Sequence, residues 1–102
     1  MLTTVKRRED AQKMATMLIE HRVAGCVQIV GPVISVYRWK NEVETEKEWL
    51  CIIKSSRALY DDLERAIKKV HRYETPEILA VPIVAGSENY FEWLANELTN
   101  RE

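Results

Sequence analysis

Apolar positions recur along the chain with two different periods, and the switches between them divide it into elements. Met1–Val5 reads as a short strand. Ala11, Met14, Ala15, Leu18 and Ile19 then return at steps of three and four, as one face of a helix requires. This helix is predicted from Arg8 to His21, with Gly25 close behind as the residue free to take a positive φ at its C-terminal end. Ala24–Val30 is apolar and β-branched, Gly31-Pro32 interrupts it, and Val33–Trp39 resumes it, which is the pattern of one long strand carrying a bulge. Lys40-Asn41 supplies a tight turn, since asparagine tolerates left-handed backbone, and Glu42–Lys54 is the returning strand. Ser55 or Ser56 stands where it can cap a second helix, whose Leu59, Leu63, Ala66, Ile67 and Val70 keep helical spacing. A linker, His71–Glu77, leads to a last strand, Ile78–Val84. Gly86-Ser87 then opens a short third helix with Tyr90, Phe91, Leu94 and Leu98 inward.

The order β-α-β-β-α-β with a trailing helix is that of a ferredoxin-like α+β sandwich, in which both main helices cover one face of a four-stranded sheet. Residues 1–102 make a single domain of this kind. The other face is left bare. Trp49–Ile53 and Ile78–Val84 are apolar at successive rather than alternate positions, so that face is expected to be buried against another subunit. Hairpin arms of about 13 residues also overhang a domain of ordinary strand length, and their tip is expected to pair with a neighbour's sheet. A homo-oligomer follows.

Composition narrows the function. The 15 basic and 16 acidic residues are interspersed for a net charge of −1, which excludes the concentrated basic face of a nucleic-acid binder. Lys6-Arg7-Arg8 is answered at once by Glu9-Asp10 and reads as an exposed helix start. No run approaches the roughly 20 apolar residues that span a bilayer, and the N-terminus lacks a secretory pattern, so a cytoplasmic protein with no membrane partner is expected. Two cysteines do not make a disulfide framework, and both thiols are expected to be reduced. With three glycines there is no phosphate-cradling loop, and neither a Ser-His-Asp arrangement nor a closed zinc spacing occurs. Glu74 and Glu77 alone do not make an acid/base pair. Neither catalysis nor an organic cofactor is expected.

The richest chemistry lies in Val70–Ile78, where an imidazole, a phenol and two carboxylates occupy a connection that a plain turn would build from Gly, Asn, Ser or Asp. His71, the only histidine beside other donors, is the candidate metal ligand. Its place at a helix C-terminus favours the protonated imidazole, so a capping role competes. Tyr37 and Trp39 share one face of the second strand, and Tyr73, Glu74 and Glu77 arrive at the same end of the sheet. With His71 they are read as ligand-binding residues of a cleft between subunits, against the alternative of interface aromatics and ion-paired carboxylates. Lys54 ends an apolar strand, where a charge calls for a carboxylate partner or an anionic ligand. His21 reads as a solvated helix terminus. The turn sets Cys51 opposite Val30, four residues or roughly 13 Å from Cys26, so the two thiols are buried small hydrophobes rather than a disulfide.

Four stretches, Val23-Ala24-Gly25-Cys26-Val27-Gln28-Ile29, Ser35-Val36-Tyr37-Arg38-Trp39, Ile52-Ile53-Lys54-Ser55 and His71-Arg72-Tyr73-Glu74-Thr75-Pro76-Glu77-Ile78, resemble the CutA divalent-cation-tolerance proteins, in order and spacing from about Thr4 to Trp93. The resemblance implies a ferredoxin-like homotrimer related in architecture to PII-type signalling proteins, with a role in divalent-metal tolerance and, in some members, copper binding. Against the usual pattern, Gly25 replaces an alanine, Gln28 an asparagine, Asn41 a turn glycine and Arg72 the proline after the histidine. Arg72 adds a cation beside His71, which disfavours a metal there. Where some members carry a cysteine near the end of the first strand, this chain has Thr3-Thr4; lacking a soft thiolate, it is expected to hold copper or another divalent metal weakly. The implied function is a non-enzymatic trimer that binds metal or a small ligand at inter-subunit clefts near His71. The alternative is a PII-like regulator that senses a small anionic metabolite and signals to a protein partner.

Overall fold

The computed structural model describes residues 1–99, so the last three residues of the 1–102 domain lie outside the described residues. Strand β1 (Leu2–Val5) is followed by α1 (Arg8–Glu20), the hairpin β2 (Cys26–Trp39) and β3 (Glu42–Lys54), α2 (Tyr60–Val70), β4 (Ile78–Leu79) and α3 (Glu88–Glu97). The sheet runs β2-β3-β1-β4, antiparallel at every step, which is the ferredoxin-like order.

Helical spacing decides which side chains are buried. Ala11, Met14 and Leu18 of α1 and Leu63 and Ile67 of α2 meet Val5, Cys51 and Ile53 of the sheet in one core, with Val27, Ile29 and Trp49 packed at its margin. Alternation along β3 therefore turns Trp49, Cys51 and Ile53 toward the helices and Glu48, Leu50 and Ile52 to the bare side. On that bare side Val30 and Leu79 are 45% and 52% exposed, so the uncovered face is apolar, as the run of consecutive apolar residues required.

The hairpin turns at Lys40 and Asn41, both at positive φ (50° and 68°), the conformation that a two-residue turn between right-twisted strands demands. The bulge sits at the expected dipeptide: Val30 opposes Leu50 and Val33 opposes Glu48, leaving Gly31 and Pro32 opposite Trp49 alone. This extra residue moves Cys51 from Val30 to Ile29, one position from the expected partner. Cys26 pairs with Lys54, about 10 Å along the strand from Ile29, and both cysteines are free. Cys51 is the buried small residue expected, whereas Cys26 is only half-buried.

Four other expectations are corrected. Arg22, not Gly25, takes the positive φ after α1; Gly25 lacks a side chain because a Cβ there would run into Leu94 of α3. No serine caps α2, which opens through a 3-10 turn at Arg57–Leu59; the Ser55 hydroxyl instead donates to the Val23 carbonyl at 2.7 Å. Strand β4 is confined to Ile78–Leu79, paired with Thr3 and Leu2 of β1, and residues 80–84 run on without a strand partner among the described residues. Helix α3 begins after Ser87 as expected, where the serine oxygen accepts the Tyr90 N–H, but Leu94 alone is fully buried; Tyr90 and Phe91 stay more than a third exposed.

Candidate functional site

α2 ends at His71 because the backbone there turns extended (φ −75°, ψ 136°), and its N–H makes the last helical bond, to Ile67. The imidazole swings back to the sheet. Its Nε2 donates to the Thr4 carbonyl at 2.7 Å, and its Nδ1 accepts the Tyr73 N–H at 3.1 Å. A backbone N–H can only donate, so the ring proton is assigned to Nε2, and neither nitrogen keeps a free lone pair for a metal in this arrangement. The imidazole fastens the linker to β1.

Tyr73 stands beside it, ring centroids 4.8 Å apart, and its hydroxyl donates to Glu48 Oε2 at 2.7 Å. Glu48 is 6% exposed and forms no ion pair with the described residues. Burial, then the hydrogen bond to Glu48 and the charges of Glu48 and Glu46, push the Tyr73 phenol far above its ordinary value, so it stays a donor. Thr4, His71, Tyr73 and Glu48 thus form one chain of hydrogen bonds from β1 through the linker to β3.

Period-two alternation continues outward from Glu48 and sets Glu46, Glu44 and Glu42 in a row on the bare side, opposite Ser35, Tyr37 and Trp39. Partial burial, then the charges of Glu46, Glu48 and Glu44, raise the Tyr37 phenol as well. The reverse side of this overhang carries Ile34, Val36 and Val43, all more than 60% exposed.

Of the residues read from the sequence, His71 and Tyr73 are in contact, and Tyr37 lies within electrostatic reach of Tyr73. Trp39 is six residues out along the hairpin from Val33, about 20 Å from the level of Glu48. Glu74 and Glu77 are exposed on the linker and pair with no Arg or Lys among the described residues. Lys54 pairs with Cys26 at the opposite end of the sheet, again about 20 Å from Glu48 along β3, and its ammonium sits over the Tyr90 ring at 5.8 Å, with no carboxylate partner among the described residues. His21 is a helix terminus, its Nδ1 2.8 Å from the Met17 carbonyl. Glu48 was not singled out by the sequence reading, although Glu42, Glu44, Glu46 and Glu48 at every second position are a strand-period signal. The described residues gather no group of three or more His, Cys, Asp or Glu able to hold a metal ion within one copy. No described helix is long and apolar enough to cross a membrane.

Residues 1–97 match the family model of the CutA1 divalent ion tolerance protein. The chain is 40% identical over 93 residues to the divalent-cation tolerance protein CutA of Thermus thermophilus, covering 91% of this chain and 90% of that one. It is 39% identical over 97 residues to the chloroplastic protein CutA of Arabidopsis thaliana, covering 95% of this chain but 53% of the relative, so it spans about half the length of that plant protein. Among solved structures, CutA1 from Oryza sativa superposes with a TM-score of 0.95 at 38% identity, covering 98% of this chain and 92% of that one.

Proposed function

The chain belongs to the CutA1 divalent ion tolerance family, and from that premise we propose that it acts as a cytoplasmic homotrimer that contributes to divalent-cation tolerance, copper included, without catalysing a reaction. Cations are held weakly between copies, at the carboxylate row that starts from Glu48. The observation that carries this reading is the Glu48 carboxylate itself, 6% exposed and answered by a phenol rather than by a cation. A carboxylate withdrawn from water calls for positive charge, and Glu46, Glu44 and Glu42 beside it raise that demand. The uncovered apolar residues of the same face and the unpaired stretch after Leu79 support closure by sister copies, which would draw several such rows together. Oxygen donors without an available thiolate or imidazole support weak rather than tight copper binding. His71 serves this site by holding Tyr73 against Glu48. Two free thiols support a reducing compartment.

The test is calorimetric titration of Cu²⁺ and Zn²⁺ into the wild type, Glu48→Gln and His71→Ala, with light scattering on the same samples. Glu48→Gln is expected to weaken binding by roughly tenfold, the scale of one charged contact, and His71→Ala by less. Scattering is expected to give three times the chain mass of 11.9 kDa. A stable monomer at micromolar concentration, or binding abolished by His71→Ala and untouched by Glu48→Gln, would overturn the proposal.

A further inference from the structure

The helix-covered side of the molecule holds a second feature, a cavity of about 190 Å³ where the start of α1 meets the end of α2, next to His71 and Tyr73. Its floor is apolar: Val5 and Met14 are 5% and 3% exposed, and Val70, half-exposed at the end of α2, forms one wall. Its rim is cationic. Lys6 comes from the β1–α1 connection, Lys13 from α1 and Arg72 from the linker. Arg72 is already paired with Asp10, its Nε 3.1 Å from the carboxylate. Lys6 and Lys13 make no hydrogen bond or ion pair with the described residues, so the rim keeps two unanswered positive charges.

An apolar floor under unpaired ammonium groups is the general design of a pocket that fixes an anionic head and buries the body attached to it. From this we infer that the cavity binds a small monocarboxylate with an apolar body, of the size of benzoate or hexanoate. Its volume lies below the ~300–1,000 Å³ of sites for drug-sized ligands, which restricts the occupant to a small molecule. Asp10 and Arg72 answer each other, so the head is held by Lys6 and Lys13, and the apolar floor, which offers a bare phosphate nothing to bury, favours an anion that carries an apolar body. The flexible lysines contribute point charges rather than a planar fork, so selection comes from head charge and body size together. His71 and Tyr73, which orient Glu48, also line the cavity, but the inference rests on Lys6, Lys13 and the apolar floor and not on the carboxylate row.

The experiment is amide NMR titration of the wild-type protein with hexanoate and benzoate, with hexanol and inorganic phosphate as controls, at low and high salt. Saturable shifts are expected in the amides of Lys6, Asp10, Lys13 and Arg72, weakening as salt rises. Lys13→Met is expected to raise Kd by roughly tenfold, and Val70→Glu, which sets a negative charge at the wall, to abolish saturation. Both substituted positions are exposed, so the fold is retained. Shifts scattered over the surface, hexanol or phosphate matching hexanoate, or variants that bind like wild type would each overturn the assignment. None of these outcomes bears on Cu²⁺ binding at Glu48, so the two readings fail separately.

Discussion

The hydrogen bond from Tyr73 to Glu48 is where fold and candidate site coincide, and its strength is measurable by a double-mutant cycle of Tyr73→Phe and Glu48→Leu. The bond is charge-assisted and 2.7 Å long, and its acceptor is 6% exposed. Bonds to charged groups are worth about 1.5–3 kcal/mol, and removing one partner leaves the other to bear its desolvation cost alone. Tyr73→Phe keeps the ring against His71 and deletes only the donor, so a loss of about 2–3 kcal/mol at pH 7 is expected. Glu48→Leu removes the charge as well as the bond, and with leucine in place a phenylalanine at 73 has no carboxylate left to strand. The double variant should therefore be more stable than the sum of the singles by about 2 kcal/mol. Urea unfolding at one fixed protein concentration gives all four values, since assembly would make the midpoints concentration-dependent. A coupling below about 0.5 kcal/mol would mean that Glu48 is effectively solvated, and the charge argument for a cation would fall with it.

Two further outcomes probe the core. Burial raises the Cys51 thiol from 9.0 to about 11, so the unfolded chain loses this proton first and the thiol's contribution to stability fades between those values, by about 1.4 kcal/mol at pH 10. Cys51→Ala, which costs about 1 kcal/mol of packing at pH 7, should accordingly match or exceed the wild type above pH 10, and a stability difference flat from pH 8 to 11 would contradict this. Thr3 Oγ1 is buried with no hydrogen-bond partner, so Thr3→Val keeps the shape, deletes the unsatisfied hydroxyl and should raise stability by about 1 kcal/mol; a lower urea midpoint would count against it.

Beyond the sheet order, which the element order implies, most agreements between sequence and structure are features set by near neighbours, and most departures are features set by distant ones. The Lys40-Asn41 turn, the Gly31-Pro32 bulge, the start of α3 after Ser87 and the buried faces of α1 and α2 are set within a few residues, and turn chemistry and periodicity find them. Ser55 looked like a cap because the next helix was the only partner visible to it; folding offers the Val23 carbonyl, 32 residues away. The apolar run Ile78–Val84 looked like one strand, yet only Ile78 and Leu79 find a ladder partner, in Thr3 and Leu2, 75 or more positions away. Gly25 appeared to serve a helix end and instead makes room for Leu94, 69 positions on. Lys54 and His71 sit beside equally suggestive chemistry in sequence, yet they lie at opposite ends of the sheet, which only the register decides.

Glu48 shows why the candidate site itself was the hardest part to read. Strand β1 ends at Val5, opposite Trp49, so Glu48 is the first residue of β3 without a β1 neighbour. The linker supplies what that missing neighbour would have given. His71 is bonded to Thr4, Tyr73 is bonded to His71, and the phenol reaches across to the carboxylate. Each link uses a backbone group or a neutral donor, so position, not charge, is what the imidazole contributes. The imidazole and the phenol of the linker are thereby drawn into orienting one acid on a strand that composition alone marks as merely polar, while Glu74 and Glu77 stay exposed. The negative charge left at the centre of this framework is answered by no cation within one copy among the described residues. Wherever sister copies close over the bare face, that charge is enclosed further, and the physical demand for a cation increases with assembly.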